Sequence, residues 1–275
     1  MIIVKANGAE IPALGLGTWE LRDEACSSLV SHALHTGYRH VDTAAMYGNE
    51  EAVGAGLRAS GIARDDIFVT TKVWPSECFE GKLERSAEAS LKRLGLDQVD
   101  LLLIHWPNAD ASVEEQIGAL CAAKKAGLTR HIGVSNFPSK MLRAAIAAAD
   151  EPLVTNQVEY HPLLSQETLL AACRENGLSL TSYCPIARAA IFTEPVLVGI
   201  AEAVGKTVPQ VILRWHVQQD GVIAVPRSSK PERVDSNFDI FDFELTADQM
   251  AAIHGMARPD GRVVNMDIAP EWDAA

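Results

Sequence analysis

Eight short apolar runs recur along the chain with helix-patterned segments between them, and no other feature of the sequence restricts the available folds as much. The runs are LGLG from Leu14, HVD to Asp42, IFVTTK to Lys72, VDLLLIH to His105, HIGVS to Ser135, VTNQVEY to Tyr160, LSLTSYC to Cys184 and GVIAVP to Pro226. Between them lie segments such as DEACSSLVSHALHTG, KLERSAEASLKRLG, SVEEQIGALCAAKKAG and SQETLLAACRENG. Each starts near Asp, Ser or Lys, ends at glycine and places apolar residues at helical spacing. With no polar linker dividing the chain, the alternation predicts an α/β fold, a single (β/α)8 TIM barrel spanning residues 1–275 rather than a doubly wound sheet. Ahead of it, Asn7-Gly8 between two β-prone runs predicts an N-terminal β-hairpin.

A chain of 275 residues is long enough for such a barrel, and 48% hydrophobic with 22% charged residues is the balance of a soluble globular protein. No apolar run approaches the roughly 18 residues of a membrane span, and the first residues lack the apolar core of a signal peptide. Thirty-six acidic against twenty-four basic side chains give a net charge of −12, which would repel a phosphate backbone. Five scattered cysteines with no CxxC spacing argue against a disulfide framework or a zinc knuckle, and imply a reducing, cytoplasmic setting.

In a (β/α)8 barrel, chemistry sits at the carboxyl ends of the strands. Asp42, Lys72 and His105 close consecutive runs, and Tyr47 follows the first of them by five residues. Singly, each has an ordinary reading: a helix-starting aspartate, a solvated lysine, a core histidine. Together they form a set that can deliver a proton to a carbonyl. Tyrosine is a protonated phenol at neutral pH, a nearby lysine cation stabilises its anion, aspartate holds that cation, and histidine orients the carbonyl oxygen. Hydride must then come from a cofactor. The usual dinucleotide fingerprint is incomplete, because Gly15-x-Gly17 is followed by Glu20 where a third glycine belongs.

The stretches GYRHVDTAAMYGNE, TTKVW, LLLIHWP, IGVSNF and VPRSSKPERVDSNF resemble the aldo-keto reductases in order along nearly the whole chain. Within that family, SVEEQIGALCAAKKAGLTRHIGVSNF and the ending APEWDAA are similar to the bacterial 2,5-diketo-D-gluconate reductase B branch. The resemblance implies a catalytic tetrad of Asp42, Tyr47, Lys72 and His105, with Tyr47 the general acid. It also implies NADPH bound without a Rossmann fold. Ser135, Asn136 and Gln157 would meet the nicotinamide carboxamide, Tyr183 would stack on its ring and Cys184 would stand where a serine usually touches the pyrophosphate. Arg227, Ser228 and Arg233 would meet the 2′-phosphate, and Asn237 the adenine. Arg227 replaces the family's usual lysine and keeps its charge, while Ser236 stands where an acidic residue often meets the adenine.

On the substrate side, Trp19, Trp74 and Trp106 follow barrel strands and, with Met46, are expected to wall an aromatic mouth. A short carboxyl-terminal tail implies, by the same resemblance, an open site for small aldehydes, α-dicarbonyls such as methylglyoxal, and keto sugars or keto acids, in a monomer. Two other readings remain open on the residues alone: a Schiff base on Lys72, as in lysine-dependent aldolases, or a silent NADPH-binding sensor. No metal is expected. His32 and His35, three apart on a predicted helix, are read as a solvated face, and His161 and His216 likewise.

Overall fold

The computed structural model describes residues 1–189 and 191–273. A two-stranded antiparallel hairpin, β1 (Ile3–Ala6) and β2 (Ala9–Pro12), opens the chain. Its turn is Asn7-Gly8, with φ of 42° and 87°, the positive values that the asparagine-glycine pair accepts in a tight hairpin.

Eight parallel strands follow: β3 (Leu16–Gly17), β4 (His40–Asp42), β5 (Phe68–Val73), β6 (Val99–Ile104), β7 (Thr129–Ser135), β8 (Leu153–Glu159), β9 (Ser179–Tyr183) and β10 (Val222–Ala224). Each pairs with its predecessor in chain order. The first and last then meet through parallel bridges, Leu14 to Ala224 and Gly17 to Arg227. Backbone bonds of 2.9 Å from Gly15 to Ala224 and from Gly17 to Pro226 complete the ring.

Closure explains the two glycines of the incomplete fingerprint. A Cβ at Gly15 would stand 2.8 Å from the His40 ring, and one at Gly17 would stand 2.7 Å from the Val225 carbonyl oxygen. Both positions serve strand approach.

The outer layer comprises α1 (Asp23–Thr36), α2 (Glu50–Ala59), α3 (Lys82–Leu94), α4 (Val113–Lys125), α5 (Ser139–Ala148), α6 (Glu167–Glu175), α7 (Pro195–Val204), α8 (Val208–Val217), α9 (Pro231–Phe238) and α10 (Ala247–His254). Their ends follow local chemistry. Ser112 accepts the Glu115 amide at 3.1 Å to cap α4, Thr207 with Gln210 and Thr246 with Gln249 box the starts of α8 and α10, and Gly95 ends α3 in the left-handed region. Two helices, α7 and α8, share the connection from β9 to β10. Among the described residues no single helix is long and apolar enough to cross a membrane. All five cysteines are free thiols.

Two of the expectations for histidines fail. His161 and His216 are wholly buried, not solvated. His161 lies within hydrogen-bond reach of Glu159 at 2.9 Å. His216 sits on α8, where every residue from Gln210 to Val217 is buried, and its Nδ1 donates to the Ile212 carbonyl at 2.8 Å. His32 is partly exposed, and its ring is 2.7 Å from Asp235 of α9.

Candidate active site

The register of the barrel brings the predicted residues to one end. Gly17 is aligned with both Asp42 and Arg227, Asp42 with Thr70, and Lys72 with Leu103. Asp42 ends β4, Lys72 is the penultimate residue of β5, and His105 follows β6 directly. Tyr47 closes a single 3-10 turn, Ala45–Tyr47, before α2.

That loop is pinned from below. Asn49, buried, accepts from the Thr43 hydroxyl at 2.8 Å and donates to the Thr18 and Leu21 carbonyls at 2.8 and 3.1 Å. Arg22 donates to the Tyr47 carbonyl, and the Trp19 ring meets the Tyr47 ring edge-on at 4.9 Å.

Lys72 has no exposure. Its Nζ donates to Asp42 Oδ1 at 2.6 Å, the Thr43 carbonyl at 2.8 Å and Tyr47 Oη at 3.2 Å, which occupies all three ammonium donors. Burial pulls the lysine pKa down, but the neighbouring Asp42 and Tyr47 outweigh it, and the net displacement is upward. A neutral, nucleophilic Lys72 is therefore disfavoured, which argues against a Schiff base.

For Tyr47 the net result departs from the expected lowering. Burial raises the phenol pKa, and the Lys72 cation beside it recovers only part of that rise. The phenol stays protonated well past neutrality. Burial first, and the Lys72 charge second, hold His105 well below the usual histidine range. Its imidazole is thus neutral at pH 7. It stands edge-on to Tyr47 at 5.6 Å and to Trp74 at 5.4 Å, and its buried Nδ1 has no hydrogen-bond partner among the described residues.

The residues assigned to the nicotinamide gather on β7, β8 and β9, and are largely bonded to one another. Ser135 Oγ donates to the Gln157 carbonyl at 2.7 Å, and Asn136 Nδ2 donates to the His105 carbonyl and to Ser135 Oγ, both at 3.0 Å. Tyr183 Oη donates to Asn136 Oδ1 at 2.8 Å, and Gln157 Nε2 donates to Asp42 Oδ2 at 2.7 Å. Asn136 has a φ of 64° and Cys184 a φ of 50°, left-handed conformations that asparagine tolerates but that a cysteine seldom adopts unless its surroundings enforce them. Arg227 is exposed; it donates to the Trp19 carbonyl at 3.0 Å and lies 3.7 Å from Glu20. Arg233 is also exposed, on the first turn of α9, while Ser228, ahead of that helix, and Asn237, within it, are buried.

Trp19 and Met46 are each 37% exposed. Trp106, by contrast, is buried, because Trp272 from the carboxyl-terminal tail packs against it at 6.1 Å. Trp272 was not singled out from the sequence as a site residue, nor were Asn49, Arg22 or Glu159. The one local signal was a charged residue, Glu159, inside an apolar strand run.

Residues 13–258 match the model of the Aldo/keto reductase family, and the chain belongs to that family of oxidoreductase enzymes. It is 41% identical over 266 residues to "Methylglyoxal reductase DkgB" of Escherichia coli O157:H7, covering 96% of this chain and 99% of that one. An "Aldo-keto reductase" of Mycolicibacterium vanbaalenii is 44% identical over 247 residues, covering 90% and 88%. Among solved structures, one of a protein proposed to be a 2,5-diketo-D-gluconic acid reductase B superposes with a TM-score of 0.98 at 47% identity, covering 100% and 98%. The Bombyx mori aldo-keto reductase, solved with NADP, superposes with a TM-score of 0.89 at 33% identity, covering 96% and 95%.

Proposed function

We propose that the protein is an NADPH-dependent reductase of small carbonyl compounds, with methylglyoxal and 2,5-diketo-D-gluconate as the first candidates, and that Tyr47 is its general acid. The observation that carries this reading is the Asp42–Lys72–Tyr47 chain, a buried ion pair ending on a half-buried phenol, with a neutral His105 against the phenol ring. The names of the E. coli relative and of the 47% identical structure support the substrate choice, and the NADP in the Bombyx structure supports the cofactor.

The donor set suits a phosphate-bearing dinucleotide. Arg227 lies level with Asp42 through their shared alignment with Gly17, and Arg233 presents an exposed guanidinium close by in sequence. Guanidinium forks match phosphate oxygens. Arg227, Ser228 and Arg233 would hold the 2′-phosphate, Asn237 the adenine, Cys184 the pyrophosphate side, and Ser135, Asn136, Gln157 and Tyr183 the nicotinamide. NADPH supplies the hydride.

The residues of the chain do the rest. Tyr47 donates its proton to the carbonyl oxygen as negative charge develops there, and Lys72 stabilises the phenolate left behind. Asp42 keeps Lys72 charged and in place. Neutral His105 offers one N–H to the carbonyl oxygen and orients it. Trp19, Met46, Trp74 and Trp106 exclude water around it. The chain would act as one barrel unit, a monomer in the cytoplasm, where its free thiols are stable.

Initial rates of NADPH and NADH oxidation with methylglyoxal and with 2,5-diketo-D-gluconate, run beside Tyr47→Phe, test the reading. Carbonyl-dependent oxidation should fall about 10²- to 10⁴-fold in Tyr47→Phe with cofactor affinity unchanged. NADPH binding without turnover would favour the silent sensor, and retained activity in Tyr47→Phe would hand the acid role to His105 or water.

A further inference from the structure

Glu159 is a fully buried carboxylate that the proton-donating set does not use. It ends β8, two residues beyond Gln157, so strand alternation puts both on one face, and it is aligned with Tyr183 of β9. A buried carboxylate is tolerated only when its oxygens are bonded. Here Oε1 faces His161 Nε2 at 2.9 Å and accepts the Val263 amide at 2.6 Å. Oε2 accepts the Val264 amide at 3.1 Å and faces Arg262 Nη1 at 3.5 Å. Three of the four partners belong to the carboxyl-terminal tail, more than 100 residues away in sequence.

Among the described residues no helix or strand holds that tail after α10. Individual contacts do. The Arg258 amide donates to the Leu163 carbonyl at 3.1 Å. Gly261 passes so close that a Cβ there would lie 1.8 Å from the same carbonyl oxygen. At the far end, Asp273 accepts from the Ser139 amide and hydroxyl at 2.8 and 2.7 Å. Between these anchors the Arg262 guanidinium stacks on Trp272 at 3.8 Å, and Trp272 packs on Trp106, the residue after His105.

We propose that Glu159 is a positioning residue that seats the carboxyl-terminal strap and, through Trp272 on Trp106, sets the substrate-side wall of the barrel mouth. The proposal rests on the reductase reading for its effect on substrate, but not for the seating itself. Glu159 holds the strap through charge and through two backbone amides, so its neutral isostere loosens the tail without removing any group that touches the reacting carbonyl.

The experiment compares Glu159→Gln, Gly261→Ala and Trp272→Ala with the parent enzyme, reading kcat and KM for methylglyoxal, NADPH affinity, and the rate of tryptic cleavage after Arg262, the tail arginine not followed by proline. Glu159→Gln and Gly261→Ala should each raise KM by about 5- to 30-fold, with kcat and NADPH affinity within about twofold, and both should accelerate cleavage. Trp272→Ala should raise KM in the same way, because it removes the contact on Trp106 while both anchors stay. Gly261 lies outside the barrel strands, so its variant carries the test if Glu159→Gln does not fold. Accelerated cleavage with unchanged KM, or parent-like cleavage in both anchor variants, overturns the proposal. An inactive parent enzyme would sink the reductase reading separately, and the cleavage pattern alone would then decide whether Glu159 seats the strap.

Discussion

The side-chain amide of Gln157 donates to Oδ2 of Asp42 at 2.7 Å, while Oδ1 of the same carboxylate takes the Lys72 ammonium at 2.6 Å. One aspartate therefore joins two rows of residues: the Lys72–Tyr47 pair on β5 and its neighbouring loop, and the polar set on β7, β8 and β9. Both carboxylate oxygens are occupied, and the residue is 3% exposed. The arrangement fixes Asp42 from opposite sides of the barrel mouth, so Lys72 cannot shift without breaking a charge-assisted bond.

Asp42→Asn should consequently lower the unfolding free energy by about 3–5 kcal/mol, because it leaves the Lys72 ammonium buried without its counter-charge. Adding Lys72→Met should restore most of that stability, since the orphaned cation is gone. Turnover should stay lost in both variants. Urea denaturation beside carbonyl-dependent rates checks this, and a double variant no more stable than Asp42→Asn would show that the pair is not the source of the loss.

Stability should also fall on mild acidification. His40, His105 and His216 are buried, and burial depresses each below the ordinary histidine value, to about 4 for His216. A group whose folded pKa is depressed is protonated first in the unfolded chain. Its contribution is complete above the unfolded value near 6.5 and is lost as pH falls toward the folded one. Unfolding free energy should be level from pH 8 to 7, then decline from about pH 6.5 downward by at most roughly 1.4 kcal/mol per pH unit for each histidine. Chemical denaturation at half-unit intervals measures the slope, and stability that rises between pH 6.5 and 5 would contradict the assignment.

The parts of this molecule that were legible in sequence are those built from local periodicity and from strand ends. All eight runs became barrel strands or their immediate ends, and Asn7-Gly8 became the hairpin turn. Asp42, Tyr47, Lys72 and His105 converge because one barrel register places consecutive strand ends side by side. What escaped were long-range pairings with no local pattern. Nothing in NQVEYHP says that Glu159 will bind amides more than 100 residues later, and Trp272 has no periodicity around it. His161 and His216 escaped for a related reason, since their burial depends on neighbours contributed by other elements. The net direction of the Tyr47 displacement depended on burial, which spacing alone does not report.

Cofactor discrimination should depend on Arg233. The residue is exposed on the first turn of α9, and a charged hydrogen bond to a phosphate is worth about 1.5–3 kcal/mol. Arg233→Ala should weaken NADPH binding about 10- to 200-fold and leave NADH nearly untouched. Fluorescence titration with both cofactors tests this, and equal losses would remove the 2′-phosphate assignment.

Two glycines inside α2 make the outer layer unusually tight, and one offers a test in which two effects oppose. Alanine is favoured over glycine in a helix interior by about 1 kcal/mol, so propensity alone would make Gly54→Ala stabilising. A Cβ at Gly54, however, would lie 2.1 Å from the Leu94 carbonyl oxygen at the end of α3. That oxygen belongs to the backbone and also accepts from Arg58 Nη1 at 3.1 Å, so it has little freedom to yield. Forcing α2 and α3 apart is an overpacking cost of about 1–3 kcal/mol or more. The clash should win, and Gly54→Ala should melt several degrees below the parent, whereas Gly118→Ala on α4, where nothing lies within 4 Å of the new Cβ, should melt at or above it. Thermal denaturation of the two variants side by side decides between propensity and packing, and a Gly54→Ala protein as stable as Gly118→Ala would mean that the α2–α3 contact yields more readily than its backbone geometry implies.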